Sequence, residues 1–439
     1  MISKKKVTAL ALAGLFVTPV LADTTIYKNN IQSSDGYLTA GDKLFSQALE
    51  NSRNRTDSSK DAVKLSMWGT HNDSDKDGLT ELKLSDKTYD NVNYILFADN
   101  SRQDNAIHRS SFSLDKTNLT LSRGILFRNA SNSIETNQAG TYDQDKVKKD
   151  LQNRSKLTLN DQSSLTGNVI NQFDTPIEGL MSDGKYYYYQ IGLVNNTEVS
   201  LTSSRWTGDL KDEINLNGTT LGEAVNKEDA LSKNVISLKN GSIWTGGVDV
   251  AKKSTVDVTL DETSSWTVSS NSRVNSIRLA QSESRQAAKN SGVTIGNGVT
   301  LTIAEGPSAS TISSLQTGTG SSLEVESAQV TINSIGGSGT VQLNKNGVVT
   351  IKAASDEVNA TLTSLEGSKL TICRVIRKTS SIQKGAENGA FFFSGFTPSI
   401  LAIQNLQLKG MATFSKGLEQ IIGIHIHPQR RSAISLNGV

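Results

Sequence analysis

The residues best suited to bind a metal ion lie in one acidic stretch, Asp73–Glu81, which reads DSDKDGLTE. Carboxylates at alternate positions before a turn glycine are what a calcium loop needs, because several oxygens must converge on one hard cation. The twelfth position counted from Asp73 is Leu84, where an EF-hand loop needs a bidentate glutamate. We therefore interpret the stretch as a solvated acidic turn, with calcium binding as the alternative.

Hydrolytic chemistry finds little support in the sequence. A serine protease needs a histidine and an aspartate beside its serine. Only two histidines, His71 and His108, precede the C-terminal tail. The stretch most similar to a nucleophile turn, Gly336–Gly339 (GGSG), is typical of a glycine-rich turn. A Gly-x-Ser-x-Gly elbow is also missing. His425 and His427 are spaced to contact one metal from a strand, yet no neighbouring ligands accompany them. We predict no catalytic, cofactor-binding or metal-binding residues and no cofactor.

Two groups of aromatic residues suit either packing or contact with a ligand. Tyr186–Tyr189 follow a turn at Asp183-Gly184, and alternation along a strand would pack one pair and expose the other to a glycan or protein. Trp206, Trp244 and Trp266 occupy equivalent slots of a repeated pattern. For both groups we predict structural packing, with carbohydrate stacking as the alternative for the tryptophans.

The elements that would carry these residues are short strands that recur along the chain. Four stretches combine a turn glycine with an alternating apolar run, and their last apolar residues are Ile303, Val325, Ile351 and Ile372, in steps of 22, 26 and 21 residues. Units of this size cannot bury a core alone and must stack on their neighbours. The sequence therefore predicts an all-β fold, a β-solenoid.

An earlier repeat pairs a strand with a Ser-x-Trp-Thr or Ser-Leu-Thr strand. Its anchors are Leu165, Trp206, Trp244 and Trp266, in steps of 41, 38 and 22 residues, which we interpret as two, two and one units of about 20. The rhythm is clear from about Lys156. Before it, a heptapeptide at 43–49 predicts a short helix.

Composition and the N-terminus limit the protein class. Aromatic residues are 5% and hydrophobic residues 36% of the 439, with 35 glycines, which suits a thin core with many turns. The formal net charge of +2 gives no argument for nucleic acid, and the single Cys373 excludes an intrachain disulfide. Lys4–Lys6, an apolar run and small residues ending at Ala22 predict a secretory signal peptide at 1–22.

The Ser-x-Trp-Thr-Gly and Gly-x-x-Leu-x-Val repeats behind this signal resemble autotransporter passenger domains of the pertactin-like kind, over roughly residues 155–372. The resemblance implies a right-handed parallel β-helix, exported through an outer-membrane β-barrel at the C-terminus of the same chain. It also implies a non-enzymatic adhesin that contacts host or bacterial surface glycans or proteins. A passenger hydrolase with an unrecognised site and a truncated, non-functional remnant are the alternatives.

The predicted organisation has four parts. A signal peptide at 1–22 is followed by an N-terminal cap or insertion-rich early rungs at 23–150, the β-helix passenger at 151–372, and an atypical tail at 373–439. A translocating barrel needs many alternating segments, more than the tail at 373–439 can hold. We therefore expect the barrel to be absent and the tail to be frameshifted or truncated. The expected location is the outer membrane, cell surface or exterior of a Gram-negative bacterium, or the periplasm without the barrel.

Overall fold

The computed structural model describes residues 23–25, 37–55, 63–69, 78–99, 108–128, 131–136, 153–174, 177–180, 186–191, 194–215, 231–280, 291–306, 308–355, 361–364, 368–372 and 375–376. The chain divides into two compact units. The first comprises Met1–Ser237 with Asp249–Thr255, and the second Leu238–Val248 with Val256–Val439.

Nearly all regular structure in the described residues is β-strand. The one helix described, α1, spans Asp42–Arg55. The strands up to residue 239 are β1 (Asp23–Thr25), β2 (Tyr37–Gly41), β3 (Val63–Gly69), β4 (Gly78–Ser85), β5 (Thr88–Asp99), β6 (His108–Asp115), β7 (Asn118–Arg128), β8 (Ser131–Thr136), β9 (Asn153–Asn160), β10 (Ser164–Asp174), β11 (Ile177–Leu180), β12 (Tyr186–Ile191), β13 (Val194–Thr202), β14 (Arg205–Thr207), β15 (Leu210–Asn215) and β16 (Leu231–Lys239).

Seventeen further strands follow in the described residues. They are β17 (Ile243–Gly246), β18 (Val248–Asp249), β19 (Thr255–Leu260), β20 (Ser265–Val268), β21 (Ser272–Val274), β22 (Ser276–Leu279), β23 (Gly292–Ile295), β24 (Thr300–Ile303), β25 (Ser310–Thr317), β26 (Ser322–Val325), β27 (Gln329–Gly337), β28 (Thr340–Leu343), β29 (Val348–Ile351), β30 (Ala354–Ser355), β31 (Thr361–Ser364), β32 (Lys369–Ile372) and β33 (Val375–Ile376).

Parallel ladders form the first unit. One runs through β1, β3, β5, β7, β10 and β14–β15, and another through β2, β4, β6, β9 and β13. Successive residues of a strand face opposite sides, so every second residue stacks on its counterpart in the next rung. Leu82, Phe112, Leu157 and Val199 form one such buried column. Burial of each large apolar side chain contributes about 1.5–3 kcal/mol.

Helix α1 packs against the start of these ladders. Phe45 and Leu49, one helical turn apart, are buried, and the Phe45 ring meets the Tyr89 ring edge-on at 4.8 Å. Asp42, the first helical residue, accepts hydrogen bonds from the Ser85 N–H at 3.1 Å and the Tyr89 hydroxyl at 2.7 Å. Burial, together with Asp42, raises the pKa of Tyr89 to about 12. The helix predicted at 43–49 is therefore present and extends further at its C-terminal end.

The second unit is built from parallel ladders as well. One runs through β17, β20, β23, β25, β27, β29 and β32, with β30 and β33 extending it, and another through β21, β24, β26, β28 and β31. A further parallel pair joins β19 and β22. The coarse prediction of an all-β parallel, solenoid-like fold is confirmed.

The strand register differs from the one expected if the four glycine-led stretches were successive repeats of one strand. Ile303 pairs with Val325, and Val325 with Leu343, in one ladder. Ile351 and Ile372 pair with each other in a different ladder. The four stretches therefore belong to two sheets, because each rung contributes more than one apolar strand of the same pattern.

The spacing of the Trp pattern was also misinterpreted. Leu165 pairs directly with Trp206, so the step of 41 residues is one rung and not two. The additional length includes β11 and β12, which leave the parallel ladder and form a three-stranded antiparallel sheet with β8. Parallel pairing also occurs before residue 151, in β1 to β7 of the first unit, and after residue 372, in β33 of the second unit.

Candidate functional site

Threonines in register form an outward-facing row on the second unit. Thr311, Thr331, Thr350 and Thr371 lie opposite one another on β25, β27, β29 and β32. All four are partly exposed, and the first three each precede a buried isoleucine, namely Ile312, Ile332 and Ile351. Parallel strands are roughly 4.8 Å apart, so the row presents a hydroxyl and a methyl group at that interval.

A second hydroxyl row lies on β24, β26 and β28, in a sheet that continues to β31. Register places Thr300, Ser322, Thr340 and Thr361 opposite one another. The Thr300 and Ser322 hydroxyls are 2.9 Å apart and share a hydrogen bond. Because hydroxyls both donate and accept, such a row can exchange internal hydrogen bonds for bonds to a ligand.

The first unit carries a comparable row. Thr120, Thr166 and Thr207 are in register on β7, β10 and β14, and all three are exposed. In the adjacent row, the Ser164 hydroxyl donates to Asn118 Oδ1 at 2.6 Å. Each unit therefore presents an uncharged row of hydroxyls along the ladder direction.

The three tryptophans of the repeat are core residues. Trp206, Trp244 and Trp266 are at most 1% exposed. The Trp244 and Trp266 rings stack in parallel with centroids 4.5 Å apart. Trp206 Nε1 donates to the Gly167 carbonyl at 2.9 Å, and Trp266 Nε1 to the Gly246 carbonyl at 3.0 Å. Since the rings are buried, they cannot stack on a sugar, and packing is their role.

The tyrosine run lies outside the parallel ladders. Tyr186–Tyr189 belong to β12, the middle strand of the antiparallel sheet, between β8 and β11. The sequence predicted a strand after the turn at Asp183-Gly184, and a strand is found. Its position in a separate small sheet was not predicted, because the partners of β12 on β8 are 50 to 60 residues away and leave no periodic signal.

The residues considered for metal binding and hydrolysis do not converge in the described part of the chain. Asp73–Asp77, His71, His425 and His427 lie outside the described residues. Glu81 lies on β4, and its carboxylate is 3.0 Å from Lys83 Nζ. Among the residues that the structure describes, no three His, Cys, Asp or Glu side chains are grouped as metal ligands.

The predicted glycine turn at Gly336–Gly339 is present only in part, because Gly336 and Gly337 end strand β27 and only Ser338 and Gly339 connect it to β28. Gly337 has a φ of 97°, and a Cβ there would overlap the Thr317 backbone on the neighbouring rung. The Ser338 hydroxyl lies 3.2 Å from the Thr319 hydroxyl. Ser338 thus bonds to another turn residue, which agrees with a structural role.

Sequence reasoning missed a buried polar cluster in the first unit. The Asp212 carboxylate, 3% exposed, accepts hydrogen bonds from the Ser254 hydroxyl at 2.6 Å, the Ser232 hydroxyl at 2.8 Å, Asn171 Nδ2 at 3.0 Å and the Ala251 N–H at 3.0 Å. The signal was available: Asn171 and Asp212 occupy inward-facing positions of β10 and β15, where Phe127 stands one rung earlier.

The cluster continues through Asn171, the residue paired with Asp212. Asn171 Oδ1 accepts from Asn195 Nδ2 at 2.7 Å and the Thr197 hydroxyl at 2.6 Å, while its Nδ2 also donates to Asn234 Oδ1 at 2.9 Å. All of these side chains are buried. The carboxylate is thus surrounded by neutral donors that hold several rungs together.

Comparison of the chain with family models, curated proteins and solved structures found no match in any of the three. The helix in the described residues lacks the length and hydropathy needed to cross a membrane.

Proposed function

We propose that this protein is an exported, non-enzymatic surface protein of a bacterium that attaches to glycans or proteins of other surfaces, in the manner of an autotransporter passenger. The observation that carries the proposal is the row Thr311–Thr331–Thr350–Thr371. Folding requires only β-branched or polar residues at these positions. Four identical hydroxyl residues on consecutive rungs instead provide a repeating contact surface.

Several weak contacts along a rigid ladder suit attachment better than catalysis. A single hydroxyl hydrogen bond contributes about 0.5–1.5 kcal/mol net, and its effect multiplies when neighbouring sites engage the same extended ligand. In this proposal the ladder winds as a right-handed parallel β-helix, the hand that parallel crossovers overwhelmingly adopt. Residues 1–22 direct export, and cleavage after Ala22 is expected in the secreted protein.

The test is attachment of cells to beads coated with purified protein. The double variant Thr331→Val, Thr350→Val keeps the β-branched shape but removes two adjacent hydroxyls. We expect it to reduce attachment several-fold with unchanged far-UV circular dichroism. Ser338→Ala, an exposed hydroxyl at a turn outside the row, is the matched control and should attach normally. Equal attachment by all three proteins would refute a role for the row.

A further inference from the structure

Among the described residues of the second unit, three Asn-Gly pairs lie in turns, at Asn240-Gly241, Asn297-Gly298 and Asn346-Gly347. This dipeptide is the one most prone to deamidation, because glycine leaves its main-chain nitrogen sterically open to attack the preceding side chain. The reaction needs that nitrogen to lose its proton and to approach the asparagine Cγ. The hydrogen bonds and packing of each turn therefore decide its reactivity.

Two of the pairs are restrained, one by hydrogen bonds to both reacting groups and the other by burial. Gly298 N–H donates to the Thr319 carbonyl at 3.0 Å, while Asn297 Oδ1 accepts from the Thr319 N–H at 3.0 Å. Ring closure there must break two bonds to the neighbouring rung. Gly347 is buried, its N–H donates to the Asn344 carbonyl at 2.7 Å, and a Cβ would overlap the Val325 carbonyl.

The turn at Asn240-Gly241 is more open. Both residues are exposed, and no atom outside the adjacent residues lies within 4 Å of the position of a Cβ at Gly241. The Gly241 N–H donates to the Thr263 hydroxyl at 2.8 Å, an exposed bond to a side chain rather than to the main chain. Asn240 is fixed through its backbone, whose N–H donates to Asp261 Oδ2 at 2.6 Å.

We propose that Asn240 is a site of spontaneous deamidation in the folded protein, ahead of Asn297 and Asn346. The Gly241 nitrogen, after losing its proton to a solvent base, attacks Asn240 Cγ and forms a C–N bond. The Cγ–NH₂ bond breaks, ammonia leaves, and a succinimide ring results. Water then opens either carbonyl of the ring, which gives aspartate or isoaspartate at position 240 with no change in oxidation state.

The product changes the charge and the path of the turn. A new carboxylate at position 240 lies beside Asp261, which already accepts from the Asn240 N–H, so two negative groups come together. Isoaspartate also adds a carbon to the main chain and displaces that N–H. Modified molecules therefore lose a contact between adjacent rungs, and this consequence is independent of the ligand that the protein binds.

The experiment incubates the full chain in mildly alkaline buffer and measures succinimide, aspartate and isoaspartate at the three pairs by peptide mapping. We expect about fivefold more product at Asn240 than at Asn297, since one fewer bond must break and a hydrogen bond of about 1 kcal/mol corresponds to that factor. Equal or slower reaction at Asn240 would overturn the proposal.

Two further arms test whether structure causes the difference. In denaturant the three pairs should react at similar rates, and persistence of the difference there would assign it to local sequence instead. Thr263→Val removes the acceptor of the Gly241 N–H and should accelerate Asn240 alone. Acceleration at all three pairs, or at none, would refute the role of that contact.

Discussion

Replacement of Asp212 by alanine should destabilise the first unit strongly. The substitution removes the acceptor of four donors, namely the Ser232 and Ser254 hydroxyls, Asn171 Nδ2 and the Ala251 N–H. Each buried donor left without a partner costs about 1–3 kcal/mol. Even at the lower end, the expected loss in the free energy of unfolding is about 4 kcal/mol.

Asp212→Asn should have a smaller effect of the same sign. The asparagine keeps one acceptor oxygen but places an NH₂ group where donors point. The serine hydroxyls can rotate to accept, whereas the Ala251 N–H cannot change its role. We expect a loss of about 1–3 kcal/mol, the cost of one buried group without a partner.

The matched control is Glu213→Gln on the same strand. Glu213 is the next residue of β15 and pairs with Arg123 at 2.8 Å, where both side chains are about 40% exposed. Exposed ion pairs contribute about 0–1 kcal/mol, so this variant should unfold almost as the parent does.

Urea unfolding with linear extrapolation measures the three losses, and hydrogen exchange locates them. In a ladder each rung contacts mainly its neighbours. Protection from hydrogen exchange should therefore decrease in β15, β16 and residues 251–254 before it decreases in more distant rungs. The reasoning fails if Asp212→Ala costs no more than Glu213→Gln, or if protection is lost uniformly along the chain.

Three other outcomes follow from the packing. Gly208→Ala should lower the free energy of unfolding in urea by about 3 kcal/mol, because Gly208 has a φ of 154° and a Cβ would overlap the Gly167 carbonyl. Gly241→Ala, at an open position with a φ of 76°, should lower it by only about 1–2 kcal/mol. The reverse order would contradict the assigned packing. Trp266→Ala should cost about 3–5 kcal/mol by calorimetry, through loss of a buried ring stacked on Trp244, and a near-neutral result would disprove its core role. Burial by itself raises the pKa of Asp261, but hydrogen bonds from Asn240, Thr263 and Ser264 outweigh burial and hold the pKa below its usual value. The stabilising effect of this carboxylate is therefore complete above the unfolded pKa and is lost as pH falls below about 4. The difference in stability between the parent and Asp261→Asn should shrink in acid, and a difference independent of pH would refute this.

The sequence indicated the fold class because alternation of apolar and polar residues reports directly which strand face is buried. Val256, Val258 and Leu260 alternate with polar residues and are buried as expected. The tryptophans at Trp244 and Trp266 were placed in register by their repeated context, and they pair directly. Local pattern was sufficient for these features because each depends only on residues of one rung and the next.

Register and polar clustering required the tertiary structure. Ile303 and Ile351 follow the same local pattern, yet they lie in different ladders, because two strands of one rung have the same period of two. The cluster around Asp212 joins residues from 171 to 254. Alternation with Leu210 places Asp212 on the inward face of its strand, but the local sequence does not show which donors surround its carboxylate.

By itself, the sequence determined that this chain stacks short strands into a parallel, solenoid-like ladder, since alternation and repeat length express the burial of each strand. Only the tertiary structure decided which strands are neighbours, which threonines align into rows such as Thr311–Thr331–Thr350–Thr371, and that Asp212 is enclosed by neutral donors. The physical reason is that alternation specifies a face within a strand, while insertions of variable length between rungs decide what that face meets.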